Sequence, residues 1–328
     1  MSGILARLRY ANARNLTGVK RVKKIRLITV AALVAVVSLA CATTQFSIPP
    51  VAQAVDGTRL PGKVIWHDLL SDTPEQTRAF YGGLFGWEFR PLPGGTINYE
   101  VIYHRGEAIG GMVDQNRLPA KADISQWVAV FSVADVDTAA DRVRSSGGTV
   151  LTPPTSLGER GRIAVVVDSQ GAVLALLETA GGDPADGESS PESGDFLWNE
   201  LWVSSVGKAR DFYSAVFPFS GQERSLAEGD SVVEYLVLES AGRPRAGIRT
   251  TPGDDLPPSW VSYLRVADQQ ELNDILAKVE ALGGTVLVPA TPRPAGGMVA
   301  MIAGPSGAGI ALQTWPLRQD VAEQEGVQ

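Results

Sequence analysis

The rhythm of apolar and polar positions runs through the same cycle four times. Residues 63–70, Lys-Val-Ile-Trp-His-Asp-Leu-Leu, alternate as a half-buried strand. Residues 74–84 then place Thr77, Phe80, Tyr81 and Leu84 at helical spacing, and Gly86 stands where that helix must end. Strand-like stretches follow at 96–103 and 107–113. A second cycle opens with a strand at 127–133, passes through a helix at 136–145 closed by Gly147-Gly148, and continues with strands near Thr149, at 163–168 and at 172–178.

Both cycles recur further along. Trp66-His67-Asp68-Leu69 is echoed by Trp198-Asn199-Glu200-Leu201, and Arg78-Ala79-Phe80-Tyr81 by Arg210-Asp211-Phe212-Tyr213, each at an offset of 132. Trp127-Val128 returns as Trp260-Val261, and Gly147-Gly148-Thr149-Val150-Leu151 as Gly283-Gly284-Thr285-Val286-Leu287, so the offset drifts to 136 as loops lengthen. Between the halves, residues 181–194 are polar and acidic with no large apolar side chain, which marks a linker. The expected organisation is one half at 62–180 and a second at 195–317, followed by a polar tail at 318–328. The fold class is α+β, four βαβββ modules paired into two tandem domains.

Charge changes the picture at one end. The net charge is −7, yet eight of the 29 basic residues fall in residues 1–40 without a single acidic one. The remaining 21 face 36 acidic residues, so the body carries −15. Such a body argues against nucleic acid as a partner, since that affinity rests on neutralising phosphates. After the basic stretch, residues 27–40 form an uncharged apolar run that stops at Cys41, the only cysteine. The run is short for a transmembrane helix, which needs ~20 apolar residues, and fits the ~7–15 of a signal-peptide core. With Ala40 before Cys41 it resembles a bacterial lipoprotein signal, although Ser38 departs from the usual aliphatic residue. That resemblance implies a removed signal at 1–40, acylation of Cys41, a tether at 41–61, and a protein held at the extracytoplasmic face of a membrane in the cell envelope. An uncleaved anchor, or an ordinary signal with a chance cysteine, remains the alternative.

The module order, with Phe80-Tyr81 inside the first helix and Leu84-Phe85-Gly86-Trp87 just after it, resembles the vicinal oxygen chelate superfamily of glyoxalase I, extradiol dioxygenases and bleomycin-resistance proteins. The resemblance covers nearly all of 62–316. It implies two glyoxalase-like half-barrel domains, in each of which a pair of βαβββ units curls its sheet around a cavity. Metal-using members carry ligands on the first and last strand of each unit. Those slots fall here on Trp66, Val128, Trp198 and Val261, and on Ala175 and Ala311, so neither a metal nor a cofactor is expected.

Strand alternation puts Trp66, Asp68 and Leu70 on the cavity face of the first half, and Trp198, Glu200 and Trp202 on that of the second, with Tyr99, Tyr103, Tyr235 and Tyr263 able to line the same spaces. His67 then faces the helix layer, though a register shift of one residue would reverse this. His104, beside Arg105-Gly106, reads as a turn residue. Aromatic walls with a placed carboxylate suit a cationic or hydrogen-bond-donating small molecule, with Trp66, Trp198, Trp202 and Tyr263 as ligand contacts. The same tryptophans could instead fill the core, with each acid satisfied by backbone donors or by an arginine such as Arg265.

Three functions are compatible with this pattern: a metal-free small-molecule binder akin to the bleomycin-resistance branch, a metal-independent lyase, isomerase or hydroxylase-like enzyme with Asp68 or Glu200 as general base, or an envelope scaffold with filled cavities. The oligomeric state is left open. A Cys41→Ser variant is expected to leave the membrane fraction, and its recovery in the membrane pellet would overturn the lipid anchor.

Overall fold

The computed structural model describes residues 47–52, 56–93, 98–118, 124–187, 190–228, 231–253, 256–293 and 296–315. Cys41, the signal residues 1–40 and the tail from 318 lie outside the described residues. The first half consists of β1 (Val64–Ser71), α1 (Pro74–Phe85), β2 (Glu88–Pro91), β3 (Tyr99–His104), β4 (Glu107–Asp114), β5 (Gln126–Ser132), α2 (Val136–Ser145), β6 (Thr149–Ser156), β7 (Gly161–Val167) and β8 (Val173–Thr179). The second repeats it as β9 (Phe196–Val203), α3 (Val206–Val216), β10 (Ser220–Glu228), β11 (Ser231–Ser240), β12 (Arg243–Thr250), β13 (Ser259–Val266), α4 (Gln269–Val279), β14 (Thr285–Pro292), β15 (Met298–Ala303) and β16 (Gly309–Thr314). These are four βαβββ modules.

Each half makes one eight-stranded sheet, β2-β3-β4-β1-β5-β8-β7-β6 and β10-β11-β12-β9-β13-β16-β15-β14. The antiparallel pairs β1–β5 and β9–β13 join the two modules of each half. Both sheets are mixed and open, not closed barrels. Helix starts follow local chemistry: Asp135 accepts the Thr138 amide at 2.6 Å, and Asp268 accepts that of Glu271 at 2.9 Å.

The helix-bearing faces of the two sheets are turned toward each other, so each main core is shared between the halves. One joins α2 to α3 through Val136, Ala139, Val143, Ala209, Phe212 and Val216; the other joins α1 to α4 through Phe80, Tyr81, Leu272 and Ile275. The repeated motifs meet here. A Cβ on Gly148 would stand 2.6 Å from the Val167 carbonyl and 3.0 Å from the ring of Phe212, and one on Gly284 would collide with the ring of Phe80. Glycine is the residue that lets a foreign ring approach the turn backbone this closely.

Polar contacts tie the halves further, two of them through the histidines. His67, on the helix-facing side of β1, stacks on Phe196 at 3.6 Å, and its Nε2 donates to Asn199 Oδ1 at 2.9 Å; that oxygen also accepts Ser262 Oγ at 3.0 Å. His104 is the last residue of β3, is buried, and bonds through Nδ1 to Asp195 Oδ1 at 2.6 Å. It is not the turn residue its neighbours suggest, because the turn begins only at Arg105 and the second half covers the strand end.

The linker is docked along its described length. Asp183 is buried and accepts from the Leu60 amide, Ser132 Oγ and Thr179 Oγ1 at 2.6, 2.5 and 2.9 Å. Asp186 takes a bidentate bond from Arg245 of the second half at 2.6 and 2.9 Å and lies 3.2 Å from Lys63 Nζ of the first. The bonds from Arg245 and Lys63, working against partial burial, hold its carboxyl down to about 2.

Burial, only partly offset by the bond to Asn199, pushes the His67 imidazole down to about 4. Below about 6.5 the unfolded chain therefore takes up a proton that the folded chain refuses, and stability falls as pH drops from 7 toward 4, by a total of roughly 3 kcal/mol. Urea unfolding of wild type and His67→Gln at pH 7.5 and 4.5 should show a smaller acid loss in the variant, and an equal loss in both would exclude His67 as its source.

Candidate functional site

With the helix faces packed together, the concave sides of the sheets point outward, one per half. In the second half, alternation along β9 sends Trp198, Glu200 and Trp202 to this side, while Asn199, Leu201 and Val203 face the helices. Trp202, Val261, Tyr263 and Ala311 form an apolar cluster there, with Trp198, Val299 and Met301 packed around it.

Glu200 is fully buried at the centre. Its Oε1 accepts Tyr235 Oη at 2.9 Å and a short bond from Arg293 Nη2; its Oε2 accepts Tyr263 Oη at 2.6 Å and Trp202 Nε1 at 3.1 Å. Tyr235 Oη accepts Trp198 Nε1 at 3.0 Å in turn, and Arg293 also donates to Gln313 Oε1 at 2.7 Å. Four donors saturate the two carboxylate oxygens. Burial alone would raise this carboxyl, but Arg293, with Tyr263, Trp202 and Arg249, outweighs it and holds Glu200 below the usual range. Burial and then the Glu200 charge push the phenols of Tyr235 and Tyr263 up, so both remain donors.

The first half uses the same layout with different charges. Asp68, half-buried, accepts Tyr99 Oη at 2.7 Å and Trp66 Nε1 at 3.1 Å, both on Oδ1. Arg160 donates to Tyr99 Oη at 3.1 Å and lies over the Trp66 ring at 4.2 Å, without a direct bond to the acid. Burial therefore prevails over Arg160 and the two hydrogen bonds, and Asp68 is raised. Where the second half has Tyr263 and Trp202, the first has Val130 and Leu70.

One backbone requirement is common to both. Tyr99 on β3 and Tyr235 on β11 reach the acids only by passing over the intervening strand, at Gly111 opposite Asp68 and Gly247 opposite Glu200. A Cβ at either glycine would collide with the tyrosine hydroxyl.

The two arginines went unnoticed in the sequence because each comes from the loop of a distant hairpin, β6–β7 or β14–β15. Arg265, the expected partner of a buried acid, donates instead to the Trp315 carbonyl at 3.2 Å, since it lies near the end of β13. The six slots where a metal-using relative would carry ligands are apolar floor here: Trp66, Val128 and Ala175 pack in one concavity, Trp198, Val261 and Ala311 in the other. Both histidines lie between the halves instead. That donor set does not fit a transition metal.

Residues 64–176 match the family model of the glyoxalase/bleomycin resistance protein/dioxygenase superfamily. A Mycobacterium tuberculosis protein named "Putative glyoxylase CFP32" is 29% identical over 245 residues, 74% of this chain and 91% of the relative. The anthracycline biosynthesis protein DnrV of Streptomyces peucetius is 29% identical over 274 residues, 77% of this chain and 93% of its own. The Mn(II)-bound glyoxalase of Novosphingobium aromaticivorans superposes with a TM-score of 0.53 at 14% identity, covering 78% of this chain and 82% of that one. A trihydroxybiphenyl dioxygenase from Sphingomonas wittichii gives 0.52 at 14%, over 80% and 92%.

Replacing Gly247 with Ala should cost about 1–3 kcal/mol in urea unfolding, because Tyr235 must leave Glu200. In a Tyr235→Ala background the same change should cost far less, and additive losses would show that the collision is not the cause. By its family-model match the first half, residues 64–176, is a domain of the glyoxalase/bleomycin resistance protein/dioxygenase superfamily, and the second half repeats its module order and sheet topology.

Proposed function

We propose that the protein is a metal-independent binder of a small, flat, uncharged aromatic molecule, taken up in the second concavity, and that it works outside the cytoplasm on a lipid anchor at Cys41. The observation that carries this is the conversion of the metal-ligand slots into a tryptophan-lined apolar floor around a saturated carboxylate. Glu200 has no oxygen site left for a cation, and its charge is balanced by Arg293. A cationic ligand would have to break that pair, whereas a neutral ring can stack on the half-buried Trp198 and meet Trp202 and Met301. The name of the Streptomyces relative, a protein of anthracycline biosynthesis, is compatible with a polycyclic aromatic ligand.

The same bonds argue against Glu200 as a general base, since a base must be free to take a proton. They make it an organiser that aims Tyr235, Tyr263, Trp202 and Arg293 around the floor. Acid–base turnover, the alternative, is better supported at Asp68, whose proton affinity is raised and which has no direct arginine bond.

A thermal-shift screen of neutral polycyclic and cationic compounds tests the proposal. A neutral aromatic ligand at about 100 times its Kd should add roughly 2.7 kcal/mol, a rise of about 5 °C for a chain of this size. Trp198→Ala should abolish the rise and Asp68→Asn should leave it. No stabilisation across the set, stabilisation by cations only, or a stoichiometric transition metal in the purified protein would overturn it.

A further inference from the structure

The first concavity is already occupied by the chain itself. Residues 47–52, Ser-Ile-Pro-Pro-Val-Ala, read from sequence as part of an uncommitted tether, lie across it. Ile48 and Val51 are buried at 3% and 9% exposure in one cluster with Trp66, Tyr99, Val128, Val130, Ala175 and Leu177. The Ile48 amide donates to the Leu157 carbonyl at 3.1 Å, Ser47 Oγ accepts the Glu159 amide at 3.0 Å, and Arg160 Nε donates to the Pro49 carbonyl at 2.8 Å. Among the described residues, the corresponding cluster of the second half contains only residues of its own sheet.

The segment behaves chemically as a bound molecule. It offers two branched apolar groups to the floor and one acceptor oxygen to Arg160, whose guanidinium is otherwise used on Trp66 and Tyr99. Two buried side chains and three hydrogen bonds stand against the ordering of six residues, opposing contributions of similar size. Such a segment can be displaced without unfolding the sheet beneath it.

We propose that the first concavity is a second ligand site held in reserve: residues 47–52 fill it as an internal stand-in for an apolar molecule bearing a hydrogen-bond-accepting oxygen, and segment and ligand compete for Arg160 and Trp66. The chain would thus have one site in its second half and another that opens when the segment leaves. This goes beyond binding in the second half and does not depend on it.

The probe is 1-anilinonaphthalene-8-sulfonate, which combines apolar rings with acceptor oxygens, titrated by fluorescence into the full chain and into full-length Ile48→Asp/Val51→Asp. The released variant should bind one more equivalent per chain than wild type. The acetylated, amidated hexapeptide of residues 47–52 should displace that added equivalent alone, and Arg160→Met in the released background should weaken it at least tenfold. An unchanged count in a variant that unfolds cooperatively and is newly cleaved by protease at 47–52 would overturn the proposal. So would an added equivalent that the hexapeptide does not displace. A second release variant, with residues 48–51 all glycine, guards against misfolding by the buried aspartates; if both lose cooperative unfolding, the segment is core and the reserve site does not exist. Binding in the second half appears in both proteins and is removed by Trp198→Ala, so its failure is read separately from the difference in count.

Discussion

The arrangement of the two sheets rests on packing between their helix faces, where two phenylalanine rings lie against glycines of the opposite half. Phe80 against Gly284 and Phe212 against Gly148 bring the helix faces of the two sheets into one shared interior. Neither half could bury α1 or α4 alone to the same degree. Once the helix sides are committed to each other, the concave sides have only solvent, or chain, to face. The outward orientation of these faces is thus a consequence of the inner packing, and the docked linker with Asp183 and Asp186 reinforces the same arrangement.

Within each concavity the organising element is an acid on the central strand, and its immediate charge partner decides its character. Glu200 meets Arg293 directly and stays ionised, saturated and structural. Asp68 meets a tyrosine and an indole, while Arg160 is drawn aside to Trp66 and the Pro49 carbonyl. One scaffold therefore yields two electrostatic environments from nearly the same residues. The difference lies in where a single guanidinium points.

Much of this was legible in the sequence. The module order, the duplication and the alternation along residues 63–70 are local signals, and strand periodicity is enough to separate Trp66 and Asp68 from His67. Glu88–Pro91 left no such signal, because an exposed edge strand with Phe89 as its one large apolar side chain has no face to bury. Arg160 and Arg293 were hidden for another reason: their partners lie 61 to 93 positions away along the chain, and only the assembled sheet brings the hairpin loops over the acids. The second glycine of each Gly-Gly pair looked like helix punctuation, yet its partner is a ring in the other half. Residues 47–52, with two prolines and no periodicity, carried nothing to distinguish a docked segment from a tether.

His67 and Asn199 occupy equivalent places in the two repeats, 132 positions apart, and they meet each other. In a dimer of identical subunits, a residue that touches its own counterpart across the axis must pair with itself, His with His or Asn with Asn. A donor imidazole facing an acceptor amide is open only to halves free to differ in sequence, as two halves of one chain are. Fusion thus releases each copy from having to match the other. The leading segment that closes one cavity, and the Tyr263 and Trp202 that furnish the other, are asymmetries of the same origin.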